Sequence, residues 1–104
     1  MSSYEQKCQE DARLAILAEL AAQRDASLNS LSIARLIDGL VPRRPIEWVE
    51  TQLDWLEGMG AVNLRRSDMP GLGRVTIATI TASGRNHVER RALIHGVTTP
   101  ADAV

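Results

Sequence analysis

The sequence predicts a mainly α-helical domain carrying a small β-hairpin, and three observations lead there. Residues 4–23 hold Leu14, Ile16, Leu17, Leu20 and Ala21 among good helix formers, with no Gly or Pro, the makings of a long first helix. Residues 45–59, PIEWVETQLDWLEGM, repeat apolar side chains at helical spacing. Ile46, Val49, Leu53 and Leu56 form one stripe, Trp48, Trp55 and Met59 lie beside it, and Glu47, Glu50, Thr51, Asp54 and Glu57 fill the opposite half. Further on the period falls to two: Val62 and Leu64 alternate with Asn63 and Arg65, and Val75 and Ile77 alternate with Thr76 and Ala78. Pro70, Gly71 and Gly73 stand between them, which is a hairpin with a flexible tip.

After the first helix comes Leu28-Asn29-Ser30-Leu31-Ser32-Ile33. Asn29 is placed to cap a short second helix, with Leu28 and Ile33 as a hydrophobic staple across the cap. Ile33, Leu36, Ile37 and Leu40 give that helix an inward face, and it ends near Gly39. Residues 41–44 make a tight connection. Pro45 suits the first position of the third helix, where its missing N–H costs nothing, and Gly58 and Gly60 stop that helix. Thr81 can cap a last helix reaching about Ala92. One domain over residues 1–96 and an extended tail over 97–104 account for all 104 residues. The order of three helices, a two-stranded wing and a C-terminal helix, with about four residues joining the second helix to the third, is a winged helix-turn-helix.

The segments ARLAILAEL at 12–20, SLN at 27–29, LDWLEGMGAV at 53–62, TASGR at 81–85 and HGVTTP at 95–100, in that order and spacing, resemble the small winged-helix proteins encoded in Mu-like prophages, which are often described as similar to metal-sensing repressors. The resemblance spans most of the chain. It implies a winged-helix fold and a regulatory role. The family's closing stretch is typically more basic, whereas Thr98 and Thr99 here are neutral.

Charge is uneven along the chain. The net charge is −1, yet residues 45–60 carry four acids and no Lys or Arg, while residues 61–96 carry six Arg against Asp68 and Glu89. A winged helix usually sets its third helix in the major groove and its wing along the backbone. Arg43, Arg44, Arg65, Arg66 and Arg74 are therefore the candidate DNA contacts, and Arg85, Arg90 and Arg91 lie near the last helix. Glu47, Glu50, Asp54 and Glu57 oppose this use, because four carboxylates on a reading helix repel the phosphate field that supplies most non-specific affinity. The expectation is weak DNA association through the wing and flanking arginines, without base reading by the third helix. A charged outward face of this kind ordinarily just keeps an exposed helix soluble; the alternative is a protein-interaction module in which those four carboxylates meet a basic protein partner or mimic the charge of DNA, or one used for assembly. A homodimer is expected, and Tyr4, Cys8 and Ala12 on an extended first helix either form an arm for a second subunit or cover the domain's own last helix. Both Trp side chains are expected in the core.

No catalytic motif is present, so an enzyme is not expected. Gly71-Leu72-Gly73 lacks the third glycine of a dinucleotide loop. Cys8 is the only cysteine, and with His87 and His95 it makes no recognised ligand spacing. No metal or cofactor is expected, and His87 is expected to face solvent. The N-terminus is polar and no apolar run approaches the ~20 residues that cross a bilayer. The expected location is the cytoplasm, without a membrane partner.

Overall fold

A computed structural model describes residues 3–100. They form α1 (Tyr4–Ala22), β1 (Ser27–Asn29), α2 (Ser30–Ile37), α3 (Ile46–Gly58), β2 (Val62–Met69), β3 (Gly73–Ile80) and α4 (Ala82–Val88). The architecture is mixed: four helices and one antiparallel three-stranded sheet in the order β1-β3-β2.

Local chemistry sets most helix ends. Ser3 Oγ accepts from the Gln6 N–H at 3.0 Å, Asn29 Oδ1 from the Ser32 N–H at 2.9 Å, and Thr81 Oγ1 from the Gly84 N–H at 3.1 Å. Each satisfies an amide that no preceding turn can reach. At the end of α3, Gly60 adopts φ +77°. Its N–H donates to the Glu57 carbonyl and the Ala61 N–H to the Leu56 carbonyl, both at 2.9 Å, the paired closure that a left-handed residue permits. Pro45 stands one place earlier than the sequence suggests, as the cap residue of α3.

The core lies between α1, α2 and α3 and one face of the sheet. Ile16, Leu17, Leu20, Ile33, Ile37, Leu53 and Leu56 are fully buried, and Val62, Ala78 and Ile80 close it from the sheet. Each large aliphatic removed from water contributes about 1.5–3 kcal/mol before entropy is set against it. Cys8 and Ala12 belong to this same core, and only Tyr4 of the expected arm stays exposed.

Four local expectations need correction. The sheet has a third strand, β1, pairing Ser27 with Thr79, Leu28 with Ala78 and Asn29 with Ile77; three residues are too few to show a period. Leu40 is 60% exposed, because α2 ends at Ile37 and the helical repeat no longer governs it. The last helix stops at Val88, since Arg90 takes φ +61° and its N–H and that of Arg91 close on the His87 and Asn86 carbonyls. His87 is fully buried. Its Nδ1 accepts from the Ile94 N–H at 2.8 Å, so Nε2 carries the proton and donates to the Thr98 carbonyl at 3.0 Å.

That histidine docks the segment following α4. Val97 and Thr98 are buried, the Thr98 N–H donates to the Glu10 carbonyl, and its hydroxyl donates to Asp11 at 2.5 Å. The first residues of the expected tail are thus joined to α1, while residues 101–104 lie outside the described span.

Candidate functional site

Arg43 and Arg44 lie in the α2–α3 connection, Glu47, Glu50, Asp54 and Glu57 on α3, and Arg65, Arg66 and Arg74 on the β2–β3 hairpin. On β2, Arg65 pairs across the sheet with Ile77 and Arg66 with Thr76. Successive side chains on a strand point to opposite faces, so these two neighbouring arginines serve different surfaces. Arg66 is on the face toward α3. There its Nη1 donates to Glu50 Oε2 at 3.3 Å and to the Thr76 hydroxyl, which itself donates to Glu50 Oε1 at 3.1 Å. Arg65 is exposed and has no ion pair among the described residues.

The other candidate arginines divide in the same way. Arg44 pairs with Glu5 at 2.8 Å, and its guanidinium lies 5.0 Å from the Trp48 ring centroid. Glu5 also accepts from Trp48 Nε1 at 2.8 Å, and the indole first and Arg44 second hold the Glu5 carboxyl below its usual range. Arg74 approaches Asp68 only to 3.8 Å with both side chains at least 75% exposed, a contact worth little in water. Arg43 is exposed and unpaired among the described residues. Arg43, Arg65 and Arg74 are the cations left available, and Arg44 and Arg66 are engaged within the chain.

The acidic stripe is also divided. Glu50 binds Arg66 and Thr76, and Glu57 accepts from the Leu64 N–H at 3.0 Å on the free edge of β2. These two carboxylates fasten the hairpin to α3. Glu47 and Asp54 are exposed and make no ion pair among the described residues. The five candidate arginines are thus accompanied by six carboxylates, Glu5 and Asp68 included, and the region is not a basic surface.

Both indoles sit half-buried at the rim of the core, not fully inside it as expected, and each carries a cation. Arg13, almost wholly buried on α1, has no carboxylate within ion-pair distance among the described residues. Instead its Nε donates to Gln52 Oε1 and its Nη1 to the Gly96 carbonyl, both at 2.9 Å, and its guanidinium covers the Trp55 ring. Burial lowers the Arg13 pKa, and Glu10 opposes that shift. Sequence inspection missed this cluster and the Ser30–Thr76–Glu50 chain, since their members lie up to 83 residues apart and no periodicity links them.

A groove of about 580 Å³ runs between Gln6, Lys7 and Glu10 of α1 and residues 93–99. No group of three or more His, Cys, Asp or Glu is arranged to hold a metal among the described residues, and both His87 nitrogens are engaged. No helix among them is long and apolar enough to cross a membrane. Comparison with protein-family models, with curated proteins and with solved structures gives no match.

Proposed function

We propose that the chain is a winged-helix regulatory module of the kind encoded in Mu-like prophages, without enzymatic activity, which associates weakly with DNA through backbone contacts from Arg43, Arg65 and Arg74. The winged-helix reading is supported by the order of elements and by the sheet order β1-β3-β2, with α3 leading directly into a two-stranded hairpin. The observation that carries the functional part is the division of charge: Arg43 on the α2–α3 turn and Arg65 on the hairpin are exposed and without an ion pair among the described residues, Arg74 has only its long, solvent-exposed contact with Asp68, and α3 carries no Lys or Arg. Backbone contacts of this kind fix position without reading sequence. With about three phosphates neutralised, log K falls with log salt at a slope of about −3. A homodimer doubles the number of such contacts, and sedimentation equilibrium reads its mass.

A second reading has its own support. Glu47 and Asp54 are exposed carboxylates without an internal partner among the described residues, and they suit a basic protein surface. The two readings diverge on Glu47→Lys with Asp54→Lys, because neither side chain holds the fold together. Under the DNA reading, affinity for a random duplex rises and stays sensitive to Arg65→Ala. Under the protein reading, duplex affinity is unchanged, and a complex recovered from lysogen cells after nuclease treatment is lost.

A further inference from the structure

Arg66 differs from the other hairpin arginines in being met by a carboxylate that is itself fixed from inside the protein. Thr76 is 1% exposed, and its backbone N–H donates to the hydroxyl of Ser30, a buried residue opening α2, at 3.1 Å. From that anchored position the Thr76 hydroxyl donates to Glu50 Oε1, leaving Oε2 directed at Arg66 Nη1. Arg66 in turn donates to Thr76. The remaining hairpin pair, Arg74 with Asp68, is longer and almost wholly in solvent.

We infer that Glu50 is an internal substitute for a phosphate, which keeps Arg66 out of contact with DNA until a polyanion displaces it. The inference rests on the DNA reading above and adds regulation to the same surface. A carboxylate oxygen and a phosphate oxygen are both anionic acceptors for a guanidinium N–H, so Glu50 Oε2 and a phosphate compete for Arg66 Nη1. Thr76 is the positioning residue: it orients Glu50, so the pair is not an unrestrained surface contact. Alternation along β2 restricts the device to Arg66, since Arg65 faces the other way. The hairpin thus offers Arg65 and Arg74 continuously and withholds Arg66.

The test uses the full chain, a labelled random duplex and a salt titration. Glu50→Gln retains an oxygen for Thr76 and removes the charge. It is expected to tighten duplex binding about threefold to fivefold at low salt, the size of an exposed ion pair, and to steepen the salt slope by about 0.9, one further phosphate. Arg66→Ala should change little in the parent chain and should cancel the gain in the Glu50→Gln chain. Binding equal to the parent, or a gain that survives Arg66→Ala, overturns the inference. Phenylglyoxal modification of Arg66, located by mass spectrometry without DNA, separates the two levels. Faster modification in Glu50→Gln, with neither chain binding duplex, upholds the sequestration and removes only the DNA reading. Unchanged modification overturns the sequestration whatever the duplex does.

Discussion

The guanidinium carbon of Arg13 lies 3.9 Å from the centroid of the Trp55 ring. This contact links α1 to α3, and the Gly96 carbonyl on the same guanidinium brings in the segment after α4. Gly96 has φ +100°, and a Cβ there would stand 2.6 Å from the Trp55 ring, so the backbone passes flat across the indole only without a side chain. Arg13→Ala leaves the Gln52 and Gly96 oxygens without their donor and removes the cation from the ring. The expected loss is about 2–4 kcal/mol in urea unfolding. Arg13→Lys retains charge but not the fork that reaches both oxygens, and recovers less than half of that loss.

His87 should be found as the Nε2–H tautomer, because the Ile94 N–H occupies Nδ1. Imidazole nitrogen chemical shifts read this directly, and an Nδ1–H form contradicts it. His87→Phe fills the volume but strands the Ile94 N–H and the Thr98 carbonyl, at a cost of about 2–4 kcal/mol. Amide exchange should accelerate first at Ile94 and Thr98.

Glu5 gives the acid limb of stability a particular form. Its carboxyl is held below the usual range by Trp48 and Arg44, so the folded state binds this proton less readily than the unfolded chain. The associated stability is present above the unfolded carboxyl pKa and is lost as pH falls through the lower folded value. Urea midpoints from neutral pH downward should show that loss, and Glu5→Gln should reduce the slope while lowering stability at neutral pH.

Two substitutions test the backbone geometry. Gly84 is buried in α4, where a Cβ would lie within 2.3 Å of the Ala61 carbonyl oxygen, so Gly84→Ala should cost at least 1–3 kcal/mol. Arg90 closes α4 with φ +61°, a conformation glycine adopts without strain. Arg90→Gly should therefore raise stability by roughly 1 kcal/mol. A lower thermal midpoint for Arg90→Gly contradicts the assignment.

What could be read from the sequence was local. Asn29, Thr81 and Gly60 announce helix ends because the groups they satisfy lie within a few residues, and the stripe from Val49 to Leu56 announces a buried face because one turn repeats the next. Other features depend on partners far along the chain. Ser27–Asn29 is a strand because β3 lies beside it, and His87 is buried because residues 94–98 fold over it. Glu50 and Glu57 seemed part of one uniform acidic surface, yet their roles depend on which strand packs against α3. Arg65 and Arg66 read as a pair, and only the hairpin register separates them.

The central claim is that cations on the turn and hairpin, and not α3, meet DNA. The direct measurement is the affinity of the full chain for a random duplex as a function of salt, with and without Arg43→Ala, Arg65→Ala and Arg74→Ala together. The account predicts micromolar or weaker binding at low salt, a log–log slope of about −3, and loss of nearly all of it in the triple variant. Undetectable binding at low salt, or affinity and slope retained by the triple variant, contradicts it.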